Sequence, residues 1–372
     1  MHKVKIHTLF EYLLETTSAE PEAFVGFSLA EPPKLGDFLD ELDPNLPLDW
    51  NGRSFRGLPE LRCNVLARYG LTETCEPDDV LITAGAAEAN YLAMRQLVMP
   101  GDKVVTETPG WPQVAVMAKA IGAELVEVRR REEEGWSFSL EELAEAAQGA
   151  KLIFLTNPNN PTGKLIPNEE LSAIADIARD AGAWLLVDEV YAGLEWAGPR
   201  PPSVASLYEK GITTGSVSKA LGLQGLRTGW LICRNAEMVM DAIILRENSS
   251  EIMNIMGEVI AEIALREARF SAKLETVRQE ASATLTRLEG FVSSEPSLSW
   301  QRPEAGLIGL ARLDGIGGDE FARRLLAPPY RTFLLPGSAY GQPDHIRVGV
   351  GGGQTANLEL GLERMSALLA SI

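Results

Sequence analysis

Asn160, Asp188, Tyr191 and Lys219 each stand where a short apolar run ends: KLIFLTNPN (151–159) before Asn160, WLLV (184–187) before Asp188 and Tyr191, ITTGSVS (212–218) before Lys219. Singly, each has an ordinary structural reading: Asn160 before Pro161 as a turn former, Asp188 as a helix cap, Tyr191 as core, Lys219 as a surface charge. Together they suggest chemistry. A buried ammonium is driven toward the neutral amine, and bringing a lysine from about 10.4 toward roughly 7–8 makes it a nucleophile for imine formation.

The elements that must position these groups are legible as a rhythm. From about residue 79, runs rich in Val, Ile and Leu alternate with helical stretches: VLITAG (80–85), KVVTE (103–107), ELVEV (124–128), KLIFLTN (151–157), WLLVDE (184–189), ITTGSVS (212–218) and GWLIC (229–233). Strands buried on both faces read this way, and the alternation implies a mostly parallel sheet. Ligands of such sheets lie outside the carboxyl ends of the strands, where the polar residues cluster. Ser139 and Glu142 read as a capping box, and Leu171, Ile174, Ala175 and Ala178 as a core-facing helical stripe. After Cys233 the pattern predicts helices over roughly 236–267 and 270–289, strands over 305–313, 332–337 and 345–351, and a last helix with Leu358, Leu362, Met365 and Leu369 on one face. The predicted fold class is α/β: a large domain (46–250) with a mostly parallel seven-stranded sheet sandwiched by helices, and a smaller α+β domain (1–45 and 251–372).

Composition narrows the function classes. Against 52 acidic residues the chain has 34 lysines and arginines, a net charge of −18 that opposes a nucleic-acid partner. The three cysteines, Cys63, Cys75 and Cys233, are too far apart for a disulfide framework or a CxxC clip and read as buried thiols of a reducing, cytoplasmic compartment. His2, His7 and His345 offer little to zinc or to a serine triad, so no metal is expected. No apolar run approaches the ~20 residues of a membrane span, and MHKVKIHTLFEYLLETT reads as an amphipathic helix rather than a leader. Gly349, Gly351 and Gln354 miss the third glycine of a dinucleotide fingerprint, and GLPELR (57–62) and GLQGLR (222–227) lack the ending of a nucleotide P-loop.

An imine-forming cofactor gives Lys219 a task. Pyridoxal 5'-phosphate (PLP) needs a lysine for its aldehyde, a carboxylate for its ring nitrogen, and amides, hydroxyls and a cation for its phosphate. Lys219, Asp188 and the group Ser216, Ser218 and Arg227 supply these. The motifs NPNNPTG (157–163), DEVY (188–191) and SVSK followed by Arg227, with TAGAAEA (83–89) and PGWP (109–112), resemble the class I/II PLP-dependent aminotransferase family of fold type I, in order and spacing. The resemblance runs from about Gly57 to Arg347.

It implies Lys219 as the Schiff-base lysine and proton shuttle and Asp188 as partner of the pyridinium. Asn160 and Tyr191 would bond the 3'-oxygen, and Trp111 would stack on the ring. Backbone amides of Ala86 and Ala87 would join Ser216, Ser218 and Arg227 at the phosphate. Arg347, whose planar fork suits an α-carboxylate, would hold the substrate together with Asn160. The family's intersubunit phosphate tyrosine is replaced here by Gly52, with Trp50, Ser54 and Phe55 nearby. The substrate-side loop reads SLAEPP (28–33), where Ala30 is expected to narrow the site and Glu31 to favour a cationic side chain.

Transamination between an amino acid and a 2-oxo acid is the leading expectation. The alternative is β- or γ-replacement, elimination or cyclisation in specialised amino-acid metabolism, as in members similar to capreomycidine synthase. A PLP-binding regulatory module is a third class, opposed by the acid surplus. The resemblance also implies a homodimer, with residues before Gly57 completing the neighbour's site; the acid surplus and the lack of a span-length apolar run lead to the expectation of no nucleic-acid or membrane partner.

Overall fold

The computed structural model describes residues 3–5, 8–16, 19–49, 54–351 and 357–372. His2, His7, Trp50, Gly52 and Gln354, invoked above, lie outside them. The seven apolar runs form one sheet: β1 (Val80–Thr83), β2 (Lys103–Thr108), β3 (Glu124–Arg129), β4 (Ala150–Thr156), β5 (Trp184–Asp188), β6 (Gly211–Ser216) and β7 (Gly229–Ile232). Their order is β1-β7-β6-β5-β4-β2-β3. All neighbours are parallel except β7, which runs antiparallel to β1 and β6.

Both faces are covered, which is why the runs are continuously apolar. On one side Leu81, Val104, Phe154, Leu186 and Leu231 pack with Ala89, Leu92 and Ala93 of the helix Ala86–Leu97. On the other, Val105, Ile153, Leu155 and Val187 pack with Leu171, Ile174, Ala175 and Ala178, the stripe of the helix Asn168–Ala181. Ser139 caps its helix by accepting from the Glu142 amide at 3.3 Å.

The carboxyl-terminal segment carries a second, antiparallel sheet of β8 (Leu298–Trp300), β9 (Ile308–Leu313), β10 (Leu335–Pro336) and β11 (His345–Gly349), in the order β10-β11-β9-β8. The run expected over 332–337 is divided: Thr332–Phe333 pairs in parallel with Ala23–Phe24, and only Leu335–Pro336 joins the sheet, at an edge that tolerates a proline. The strand expected from 305 starts at Ile308, because Gly306 turns at φ +80°. The helix expected over 236–267 is two, Ala236–Glu247 and Ile255–Leu265, the second capped by Asn254, whose side chain accepts from the Gly257 amide. The next helix is longer than expected, Glu267–Ser294.

Gly349 and Gly351 have a packing role. A Cβ on either would lie 1.7 or 2.0 Å from the carbonyl oxygens of Phe27 and Leu29, so these glycines let the segment after Val25 run against β11. The amino-terminal helix spans Thr8–Thr16 and buries Leu9 and Tyr12. Cys75 and Cys233 are buried as expected, whereas Cys63 is exposed on the helix Pro59–Tyr69; all three are free thiols. No helix among the described residues is long and apolar enough to cross a membrane.

Candidate active site

The parallel strands bring their carboxyl ends to one edge, and the antiparallel β7 brings its amino end there too. Asp188 is therefore the last residue of β5, Lys219 follows β6, Trp111 follows β2, Asn160 follows β4, and Arg227 arrives just before β7. These side chains line one cavity of about 390 Å³, together with Ala86, Ala87, Tyr191, Ser216, Ser218 and Arg347. A groove of about 470 Å³ on Glu31, Pro33, Phe38 and Lys273 contains none of them.

Asp188 is buried, and its Oδ2 accepts from Asn90 Nδ2 at 2.8 Å while Oδ1 accepts from the Val190 amide at 3.1 Å. Burial pushes its carboxyl pKa up; the bonds from Asn90 and Val190 and the charge of Lys219 oppose that shift. Asn90 is oriented in turn by Thr214, whose hydroxyl donates to Asn90 Oδ1 at 2.7 Å. Gln113 extends the network: its Oε1 accepts from Trp111 Nε1 and Asn90 Nδ2, both at 3.3 Å, and its Nε2 donates to the Ala87 carbonyl at 2.7 Å.

Lys219 is half-buried, with Nζ 5.9 Å from the Tyr191 ring centre. Desolvation, then the positive charges of Arg347 and Arg227, push its pKa down to about 8 against the pull of Asp188. The Tyr191 hydroxyl donates to Ser28 Oγ at 2.8 Å, and burial pushes its pKa up to about 12.

Arg347, in the middle of β11, is buried and held on three sides: Nη1 donates to Tyr340 Oη at 2.8 Å and Asn160 Oδ1 at 3.2 Å, and Nη2 to the Gly26 carbonyl at 2.8 Å. The loop carrying Asn160 is fastened by Glu107, whose Oε1 accepts from the Thr156 amide and hydroxyl and from Asn159 Nδ2 at 2.6–2.9 Å. Arg130 Nε donates to the other oxygen at 2.8 Å.

At the opposite end, Ala86 and Ala87 begin the helix Ala86–Leu97, so their amides have no acceptor within it. Arg227 adopts a left-handed φ of 52° and donates through Nη2 to the Ala84 carbonyl at 3.1 Å. A Cβ at Gly85 (φ +85°) would sit 2.6 Å from that nitrogen, so glycine there admits the guanidinium. Ser216 Oγ accepts from the Ser218 amide at 3.3 Å.

Ala30 differs from expectation. It is buried behind the cavity, its amide donating to the Lys219 carbonyl at 3.2 Å, and the wall is formed by Phe27, Ser28 and Leu29. Glu31 lines the outer groove, where its carbonyl accepts from Lys273 Nζ at 2.9 Å, so it adds no charge to this cavity. Ser54 accepts from the Arg56 amide at 3.1 Å, and Phe55 is exposed. Sequence reasoning missed Asn90, Gln113 and Ser28. Asn90 carried a signal, being a polar residue in the buried stripe Ala89, Leu92, Ala93.

The donor set fits PLP. A lysine amine, a buried carboxylate, two amides at a helix start, two serines and an arginine surround one cavity, and Arg347 Nε and Gln224 Oε1 are buried there without partners among the described residues. The fold and this set define a pyridoxal-phosphate enzyme of fold type I. The family described as "Aminotransferase class I and II" matches residues 51–365, and the chain belongs to it. It is similar to an aspartate aminotransferase of Streptomyces avermitilis, 26% identical over 84% of this chain and 80% of that one. It is also similar to capreomycidine synthase of Streptomyces vinaceus, 28% identical over 73% and 69%. The crystal structure of a PLP-dependent aminotransferase from Streptococcus suis superimposes with a TM-score of 0.90, at 25% identity, over 99% of this chain and 98% of that one. The chain is accordingly a PLP-dependent aminotransferase.

Proposed function

We propose that the enzyme moves the α-amino group of an amino acid to a 2-oxo acid, with Lys219 as the proton-transferring base, Asp188 as counter-charge and Arg347 as carboxylate anchor. The observation that carries this reading is the convergence of Lys219, Asp188 and Arg347 in one cavity, close enough for the other two charges to act on the amine.

Bound PLP supplies an electron-withdrawing pyridinium that weakens the substrate's Cα–H bond. Asp188, held by Asn90 and the Val190 amide, provides the negative charge a protonated ring nitrogen needs. Trp111, tied to Gln113, is the flat surface for the ring. Ala86, Ala87, Ser216, Ser218 and Arg227 bind the phosphate. Arg347, prealigned by Tyr340, Asn160 and Gly26, grips the α-carboxylate through its planar fork. Lys219, already poised toward the neutral amine, takes the Cα proton and holds it on Nζ. Asn160 and Tyr191 complete the ring's hydrogen bonding, with Ser28 positioning the tyrosine.

The working form is a cytoplasmic homodimer in this reading. Leu35, Leu39, Leu48 and Phe55, all in the segment before Gly57, are 51–75% exposed, apolar side chains that a second copy would cover. Sedimentation equilibrium at micromolar concentration should give twice the chain mass; a monomer retaining full activity would refute the assembly.

The reaction is tested by mixing PLP-loaded enzyme with an amino acid and no acceptor. Transamination yields one equivalent of 2-oxo acid per site and then stops. Continued product release, as ammonia or a cyclised amino acid, would overturn the proposal.

A further inference from the structure

Arg246 and Glu258 are buried ionisable residues, and neither lines the cavity. Such groups are costly to bury unless they are hydrogen-bonded, and both find their partners at one short segment. β1 is an edge strand of the large sheet, and Phe55 and Arg56 lie along its outer edge. The Ile82 amide donates to the Arg56 carbonyl at 2.8 Å, while Arg246 donates through Nη1 to the Ile82 carbonyl and through Nη2 to the Phe55 carbonyl.

At Gly57 (φ +104°) the chain turns so close to β1 that a Cβ would lie 2.3 Å from Ile82 Cγ1. Glu258 Oε2 then accepts from the Leu58 amide at 2.5 Å. Leu58 is the N-cap of the helix Pro59–Tyr69. In a capping box that amide is satisfied by a Glu or Gln three residues on, a position held here by the buried Leu61, so a glutamate of the helix Ile255–Leu265 takes over the task. Residues 55–58 are thus gripped from two helices distant in sequence. Resting on the homodimer reading, in which residues before Gly57 complete the neighbour's site, we infer that Arg246 and Glu258 are positioning residues that act in trans: by clamping Phe55–Leu58 they set how the preceding stretch meets the other subunit's site.

The test uses hybrid dimers, made by co-expressing two differently tagged chains and purifying on both tags. Lys219→Ala in one chain leaves a single site able to form the imine with PLP, so imine absorbance against PLP concentration reports that site alone. Glu258→Met, which removes the acceptor, is placed either in the chain that keeps Lys219 or in the chain that carries Lys219→Ala. The first hybrid should match the one between wild type and Lys219→Ala; the second should need about tenfold more PLP, as for a buried amide left without its acceptor. Glu258→Gln keeps an acceptor and should restore the second hybrid. Arg246→Lys, which reaches one of the two carbonyls, should reproduce the asymmetry and serves if Glu258→Met does not fold. A loss confined to the first hybrid, equal losses in both, or no loss in either overturns the inference and leaves the homodimer standing. A chain that sediments as a monomer and forms no hybrids removes the homodimer reading, and this inference with it.

Discussion

Asn90 Nδ2 stands 2.8 Å from Asp188 Oδ2, and the amide that makes this bond is fixed from behind by the Thr214 hydroxyl on the neighbouring strand. The carboxylate is thus held by a helix and a strand at once. Its orientation depends on a residue of the helix that follows β1. Replacing Asn90 by Ala should weaken PLP affinity and slow turnover by about 10- to 100-fold, as expected for losing a hydrogen bond to a buried charge. Cofactor titration and circular dichroism check this: an unchanged dissociation constant in a folded variant would show that the bond is dispensable.

The Lys219 amine sits near 8 in the folded chain, against about 10.4 in an unfolded one. Only the neutral amine has the lone pair that attacks an aldehyde. Capture of PLP by the apoprotein should therefore accelerate about tenfold per pH unit below 8 and level off above it. Asp188 pulls the amine's pKa up and Arg347 pushes it down, so Asp188→Asn should move the break to lower pH and Arg347→Met to higher pH. Stopped-flow absorbance across pH 6–10 reads the break; a wild-type break near 10 would contradict the burial argument.

Arg347 has three fixed partners before any substrate arrives. A lysine cannot reproduce its planar fork or its three-sided anchorage. Arg347→Lys should raise the KM for the amino acid by about 100-fold or more while PLP binding stays near wild type. Steady-state kinetics beside a cofactor titration separate the two effects. Equal losses in both would move Arg347 from substrate binding to general architecture.

Much of this arrangement is written locally. Seven strands buried on both faces are recognisable because nothing interrupts their apolar runs, and the residues after Thr156, Val187 and Ser216 are short-range motifs. Side-chain bridges between distant elements are not written that way: Asn90 and Gln113 belong to different helices and meet only when these pack at the sheet edge. Ala30 and Glu31 show a second gap, since the string SLAEPP does not say which side of the loop faces the cavity; the close approach at Gly349 and Gly351 decides it. The break at 248–254 was masked by apolar spacing that continues on both sides, with Asn254 as its local mark.

Arg68 reaches none of the cofactor or substrate positions, yet it joins two segments that do. Its guanidinium is buried, donating to the Ser216 carbonyl at 3.3 Å and the Ala192 carbonyl at 3.1 Å. One carbonyl precedes the Lys219 turn and the other follows Tyr191. The cation is packed by Trp230, Tyr69 and Phe270, 5.0–5.4 Å from their ring centres. Burial pushes its pKa down, and the Arg200 charge adds to that shift. Arg68→Met keeps the apolar packing but leaves both carbonyls without their donor, which should cost about 2–4 kcal/mol. If Arg68 merely fills space, thermal stability falls and PLP affinity, measured well below the new midpoint, is unchanged. If it positions both segments, PLP affinity falls at least tenfold at that same temperature, and Arg68→Lys, one point charge in place of a fork, restores little of it.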